Sequence, residues 1–459
     1  MNTADFTVLT QSSVPRRAAP KWLAPKRVTS SVLPLALLIS LSSQALPRPG
    51  QGVRVDTELN LNFGIEHLSD DSVFLTDQDG VNTVNEIIGS KIKIRPDRQT
   101  TYLFDAYGLQ FDDGTIAPDG SFQGTTDYNG IVNQLFVSHR FNGNMKLTVG
   151  RQRILWGHGL AYVPSDFVNP PLNPAGLDLT NAKGVDSVSL DWFTRGNSYT
   201  VLVNLDDSAN RTGVGAKWTS NSLDGFDFNL VYYNSEETGN AVALSLSGDP
   251  LVLTGTSSGE WTTTLNVAVR EKSQYRQTST ATFSGSDGSS LLYPAPGELK
   301  NSRSHYLTYL AGLSYEDLAS HLTFRGEYFY IQDAYDKTDL RDIYRALDDP
   351  ASPLGLLSAN WLNSLAYGRN QLRYLALTVS QDTLTEGSGN RFSDNFGYSI
   401  GMTRGLEDHS TLGTINLNSR YFENTEITLD ILLPMGEKDS EFGSMSFDWR
   451  ADLGLNITF

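Results

Sequence analysis

The feature that most constrains this chain is a two-residue alternation at its carboxy-terminal end. From Met445 to Phe459 every odd position is apolar: Met445, Phe447, Trp449, Ala451, Leu453, Leu455, Ile457 and Phe459. Every even position is polar or glycine: Ser446, Asp448, Arg450, Asp452, Gly454, Asn456 and Thr458. Successive side chains of a strand point to opposite faces, so the segment has one oily and one wet face throughout. Val53 to Ile65 repeats the pattern, with Val53, Val55, Thr57, Leu59, Leu61, Phe63 and Ile65 alternating with Arg54, Asp56, Glu58, Asn60 and Asn62. Long amphipathic strands at both ends are what a sheet closing on itself requires. A half-buried strand of a soluble sandwich also alternates, but these segments are long, and about 9–11 tilted residues cross a bilayer core.

Sixteen further candidate strands lie between the two ends, near 84–94, 100–111, 130–141, 145–154, 184–193, 198–205, 212–219, 225–234, 241–254, 261–272, 304–315, 320–333, 369–380, 394–404, 411–421 and 424–433. The weakest is 241–254, because Gly248-Asp249-Pro250 favours a bulge or a break there. The connections alternate in length. Residues 95–99, 142–144, 194–197, 220–224, 316–319 and 422–424 read as tight turns, and 382–393 is the longest of that set. The long excursions, 67–83, 112–129, 155–183, 273–303 and 333–368, all fall in the other set. Membrane barrels have short turns at one end, long loops at the other and an even strand number. The sequence therefore predicts an all-β fold, a transmembrane antiparallel β-barrel of 18 strands, with 16 as the fallback.

Composition fits. Hydrophobic residues make up 39% of the chain and mean hydropathy is -0.29, which excludes a bundle of membrane helices but not a barrel, where only alternate residues face lipid. The absence of Cys removes disulfides and thiolate metal sites and suits an oxidising compartment. Arg16, Arg17, Lys21, Lys26 and Arg27 precede an apolar run from Val32 to Leu41, and Ser43-Gln44-Ala45 follows as a small-x-small cleavage site. Residues 1–45 thus read as a secretory signal with an unusually long basic region, and 46–459 as one barrel domain with no plug before its first strand. Taking five bases and one acid from a formal charge of -17 leaves -21. So acidic a chain argues against nucleic-acid binding.

The closing strand with its terminal Phe459 resembles that of Gram-negative outer-membrane β-barrels. The resemblance implies outer-membrane lipid and lipopolysaccharide as surroundings, and recognition by the barrel assembly machinery; it leaves homo-oligomerisation open. Outward aromatics near strand ends, Trp192, Trp218, Tyr232, Tyr328, Tyr330, Tyr421, Phe447, Trp449 and Phe459, read as interfacial girdles. Charged residues assigned inward are Asp56, Glu58, Arg140, Lys217, Arg270, Arg325, Glu327, Arg420, Glu426, Asp430, Asp448, Arg450 and Asp452. Such residues either pair across strands to satisfy one another or set a transverse field that selects solutes.

The richest stretch is Gly150-Arg151-Gln152-Arg153-Ile154-Leu155-Trp156-Gly157-His158-Gly159, continuing into Pro164-Ser165-Asp166, Asn169-Pro170-Pro171 and Asn173-Pro174. Glycines permit a tight turn out of the strand and prolines stiffen the excursion. Over some thirty residues this run resembles porin-like and exopolysaccharide-export-like barrels, which implies a solute-facing third loop that narrows the lumen. Arg151, Arg153, His158, Asp166 and Asp178 are its candidate constriction residues; the alternative is a stiffened rim. The expected function is passive diffusion of small polar solutes, with polymer export or surface assembly as the second reading and a lipid hydrolase as a remote third.

No catalytic motif stands out: H-E-x-x-H, a P-loop and a dinucleotide fingerprint are all missing. Ser138 and His139 are adjacent on a strand and point apart. Asp77-Gln78-Asp79-Gly80 lacks the remaining spacing of a calcium loop. Neither an enzyme activity nor a cofactor or metal is expected.

Overall fold

Alternation of the kind just described cannot be satisfied strand by strand; each strand needs neighbours on both sides for its backbone groups. A computed structural model of the chain describes residues 53–68, 82–116, 122–169, 183–206, 212–223, 225–255, 260–284, 290–300, 303–348, 369–381, 395–422, 424–445 and 447–459. The signal segment, Asp178 and the 77–80 loop lie outside the described residues.

The strands are β1 (Arg54–Leu68), β2 (Asn82–Arg95), β3 (Thr100–Ile116), β4 (Phe122–Phe141), β5 (Met145–Gln152), β6 (Val185–Thr194), β7 (Asn197–Asn204), β8 (Gly213–Leu223), β9 (Phe226–Ser235) and β10 (Gly239–Gly248). They continue as β11 (Trp261–Arg270), β12 (Arg276–Ser284), β13 (Ser290–Leu299), β14 (Tyr306–Asp317), β15 (Leu322–Ile331), β16 (Arg373–Gln381), β17 (Phe396–Gly405), β18 (Thr411–Phe422), β19 (Thr425–Met435) and β20 (Phe447–Thr458). All but β12 and β13 form one 18-stranded antiparallel sheet in which each strand pairs with its sequence neighbours. It closes where β1 meets β20, with Leu61 opposite Leu455 and Ile65 opposite Ala451. The eighteen strands are those the sequence predicts. Closure leaves no unpaired edge.

The β12–β13 hairpin is a separate two-stranded sheet within the β11–β14 connection. Helix α1 (Lys337–Asp348) belongs to the β15–β16 connection. The doubtful segment resolves as a break. β10 ends at Gly248, Asp249 accepts from the Leu251 amide, and Pro250–Thr254 makes one 3-10 turn. Proline has no N–H to give a ladder and suits the first turn of a helix.

One face of the wall is greasy and exposed: Leu135, Val149, Leu190, Val201, Leu230, Leu244, Leu265, Leu313, Leu377, Ile400 and Leu453 all lie outward. Trp192, Trp218, Tyr232, Trp449 and Phe459 are exposed, as a girdle needs. Phe447 is not; it is only 5% exposed. A register shift against β1 falls between His67 and Leu68, and burial through Phe447–Arg450 runs buried, exposed, exposed, buried. A bulge places an extra residue in one strand and re-aims its side chains. Here it turns Phe447 in and puts Asp448 on the exposed side with Trp449, correcting the inward assignment of Asp448.

Candidate functional site

The third connection at the long-loop end leaves β5 after Gln152 and runs against inward-facing residues of the wall. Trp156 meets Tyr233 of β9 edge to face at 6.2 Å between ring centroids. The Lys217 amine of β8 donates to the Leu155 carbonyl at 3.4 Å. Asn266 of β11 donates to Ser165 Oγ at 2.9 Å and to the His158 carbonyl at 3.3 Å. Tyr162 stacks on Phe329 of β15 at 5.2 Å. Residues 155–166 are thus held from β8 round to β15. Gly157 permits this, with φ 99°; a Cβ there would sit 1.9 Å from Ser165 Oγ and 2.6 Å from Asn266 Nδ2.

The strongest single anchor is Glu327. Its carboxylate, 3% exposed as a residue, accepts from the Leu160 amide at 2.9 Å and the Ala161 amide at 2.8 Å. Consecutive backbone N–H groups aimed at one carboxylate form a strong, charge-assisted cradle. Arg369 completes the clamp by donating to the Ala161 carbonyl at 3.0 Å. The inward parity assigned to Glu327 holds, but the residue binds the loop rather than lining open water.

Other loops fill the same side. Arg270 of β11 is buried, and its Nη2 lies 2.6 Å from Asp333 Oδ1 in a pair whose side chains are 3% and 0% exposed. Ser273 Oγ and the Gln274 amide donate to the other Asp333 oxygen at 2.7 and 3.0 Å. Arg270 is therefore a buried structural cation and not a pore-lining one, because the sixth and seventh connections close over it. Around it Tyr275, Tyr335, Leu340, Ile343, Tyr344 and Phe442 pack with Phe329, Tyr374 and Leu412 of the wall in one apolar core. Beside this core Glu441 accepts from Tyr374 Oη at 2.7 and 2.9 Å, the Asn370 amide at 3.0 Å and Gln371 Nε2 at 2.8 Å. Burial, with Asp408 adding, pushes its carboxyl up to about 7 against these bonds.

Several sequence-predicted constriction residues sit elsewhere. Arg151 pairs across β5–β6 with Asp186, Nη2 to Oδ2 at 2.7 Å, and lies opposite the exposed Leu135. It shares the face of Met145 and Val149, so it points out of the barrel, not into it. Asp166 accepts from the Asn169 amide at 3.2 Å and from its Nδ2 at 2.9 Å, closing a local turn; burial raises its carboxyl. Arg153 is exposed and near enough to favour the charged form of Asp166. His158 Nδ1 lies 2.8 Å from Ser245 Oγ, and burial lowers its imidazole below the usual range, with Lys217 adding and Asp227 opposing.

The inner face of the rest of the wall, from β17 through β20 and β1 to β3, carries charge. Glu58 lies 3.1 Å from Lys91, and Asp56 lies 3.4 Å from Arg95. Arg420 pairs with Glu426 at 3.0 Å and Arg450 with Asp452 at 2.8 Å, while Asn416 donates to Asp430. Arg140 lies over the Phe193 ring at 5.9 Å, and Arg325 shares the inward face of β15 with Glu327. Lys91 and Lys93 join this set. Their alternation in Lys91-Ile92-Lys93-Ile94 is a signal the sequence reading passed over. Asp105, buried beside Tyr107, was missed because Leu103 and Tyr107 make its face read as apolar.

The fold has relatives of known structure. Pseudomonas aeruginosa OpdQ superposes with a TM-score of 0.51 at 11% identity, over 89% of this chain and 98% of that one. Pseudomonas aeruginosa OccK5 (OpdH) does so with a TM-score of 0.50 at 10% identity, over 89% and 98%. Both are outer-membrane porins, and at this identity the likeness is one of fold. The exopolysaccharide-export half of the resemblance drawn from the third loop finds no support in them. No family model and no curated protein matches the chain.

Proposed function

We propose that this protein is an outer-membrane channel through which small polar solutes diffuse passively, narrowed by its third loop. The observation that carries the reading is the asymmetry of the interior. The inner face of β6–β16 at the long-loop end, together with Leu412 of β18, is covered by loops, and the inner face of β17–β20 and β1–β3 away from that end presents carboxylates, amides and ammonium groups. A closed barrel with a greasy outer face belongs in lipid, and a polar inner face belongs in water. Solutes would pass along the uncovered wall, where acids of β1, β19 and β20 stand near the cations of β2. Fixed charges on a low-dielectric wall focus a field across the path and discriminate by charge as well as size. The residues proposed to line the path are Arg140, Lys217, Arg325, Arg420 and Asp430, with Arg153 and His158 at the loop; Glu58, already assigned inward, stands with them, and Lys91 is added. The lipid, lipopolysaccharide and assembly machinery that a Gram-negative outer membrane supplies are the partners implied.

Purified protein in a planar bilayer tests this directly. Discrete conductance steps that scale with salt are expected. A silent bilayer at all voltages, from protein whose heat-modifiable migration shows it folded, would exclude the channel and leave a binding or assembly role.

A further inference from the structure

The uncovered wall holds a defined cavity of about 620 Å³, lined among others by Asn62, Asn416, Glu426, Thr428, Asp430 and Asn456. That volume lies within the roughly 300–1,000 Å³ of ordinary small-molecule sites. Its chemistry is lopsided. Five donors on and around this wall are engaged with the wall itself: Arg420 with Glu426, Arg450 with Asp452, Asn416 with Asp430, Lys91 and Asn456 with Glu58. Acceptor capacity is left over. An ionised carboxylate only accepts and offers about four lone-pair directions. The Oδ1 atoms of Asn62 and Asn456 have no donor partner within the protein. The charged residues lining the cavity are three carboxylates (Glu426, Asp430, Asp452), and two arginines (Arg420, Arg450) pair with them, so its neighbourhood is slightly negative.

We infer that this cavity is a solute subsite for small polyhydroxylated compounds, neutral or bearing an ammonium group, and that it disfavours their carboxylates. An occupant rich in donors matches the acceptors of this wall. Hydroxyls arranged around a compact ring or chain satisfy several carboxylate and amide oxygens at once. An added ammonium gains from the local charge, and an added carboxylate meets Glu426 and Asp430 with like sign. Thr428 and Thr414, whose hydroxyls both donate and accept, line the same cavity and tolerate either orientation of a bound hydroxyl.

The inference rests on the channel reading, and one scaffold in three charge forms separates the two. Glucose, glucosamine hydrochloride and sodium gluconate are added in turn to a conducting bilayer, and their entry is compared by swelling of proteoliposomes. Expected is concentration-dependent reduction of the open-channel current by glucose and glucosamine, with gluconate at least tenfold weaker, and the same order in swelling rate. Glu426→Gln with Asp430→Asn should reduce the advantage of glucosamine over gluconate at least fivefold, in protein whose heat-modifiable migration shows it folded. Equal behaviour of the three solutes, a preference for gluconate, or a double variant that discriminates as wild type does would overturn the subsite. Should the double variant fail to fold, the three-solute comparison on the wild-type protein still decides. A bilayer that never conducts in potassium chloride would overturn the channel reading itself, and the subsite with it.

Discussion

Replacing Glu327 with alanine removes the acceptor that holds the third loop at its point of closest attachment to β15. Two backbone donors, the Leu160 and Ala161 amides, lose their partner together. A buried donor left unsatisfied costs about 1–3 kcal/mol. Leu160 itself is exposed, so water reaches that side of the loop and the lower part of the range applies. A total near 2–3 kcal/mol shifts the attached-to-detached ratio of this segment roughly 30- to 140-fold, since every 1.4 kcal/mol is tenfold. The remaining holds, Arg369 on the Ala161 carbonyl, Tyr162 on Phe329 and Asn266 on Ser165, keep the rest of the loop in place. The loosening should be local to residues 159–162. Single-channel recording is the assay. Glu327→Ala should add open-state current noise and short flickers absent from the wild type, and shift the mean conductance. Glu327→Gln keeps one acceptor and should fall between. A folded alanine variant with the same mean current, noise and dwell times as the wild type would refute both the anchoring role and the proposal that this loop narrows the path.

Three further outcomes follow from the same geometry. The Glu441 carboxyl is raised above its ordinary value to about 7, so the folded state holds its proton more tightly than the unfolded chain does. The stability this confers is full below about pH 4.5 and is lost as pH rises through 7, up to roughly 3 kcal/mol; melting at pH 5 and pH 8 should differ, and Glu441→Gln should flatten the difference, whereas an unchanged pH dependence in the variant contradicts the assignment. Arg151→Ala should leave ion selectivity unaltered, because its pair with Asp186 faces outward and is partly solvated, and should cost at most about 1 kcal/mol; a changed reversal potential under a salt gradient would count against the outward placement. Asp333→Ala strands Arg270 in an apolar surrounding and should cost about 3–5 kcal/mol, read as a lowered heat-modification temperature, far beyond the effect of Arg151→Ala.

The wall was legible because alternation is enforced at every step: Val55 and Ile94, or Leu61 and Leu455, face each other on one side only if the whole register is right. Even the doubtful tenth strand carried its own stop signal in Gly248-Asp249-Pro250. Local irregularity was not legible. The bulge that turns Phe447 inward leaves the odd–even pattern of the sequence intact, because either register keeps an apolar residue on the greasy side. Burial was legible least of all. Glu327 and Arg270 have the parity of lumen residues, but what covers them comes from loops more than a hundred and about sixty positions away in sequence. Loops have no period to read, so Glu441 and Asp408 gave no sign that they meet. Arg151 was misread for a simpler reason: it still belongs to β5, and its neighbours Val149 and Met145 already fix its side.

The one-sided packing of the interior also divides the protein into two regimes of tolerance. Along β8–β16 most inward side chains are keyed to a loop, and exchanging one disturbs its partners through shared contacts. Along β17–β20 and β1–β2 the inward positions answer chiefly to the next strand, so their chemistry can be exchanged in cross-strand pairs with the frame left standing. Anyone wishing to retune what this barrel admits would redesign that bare flank and leave the upholstered one alone.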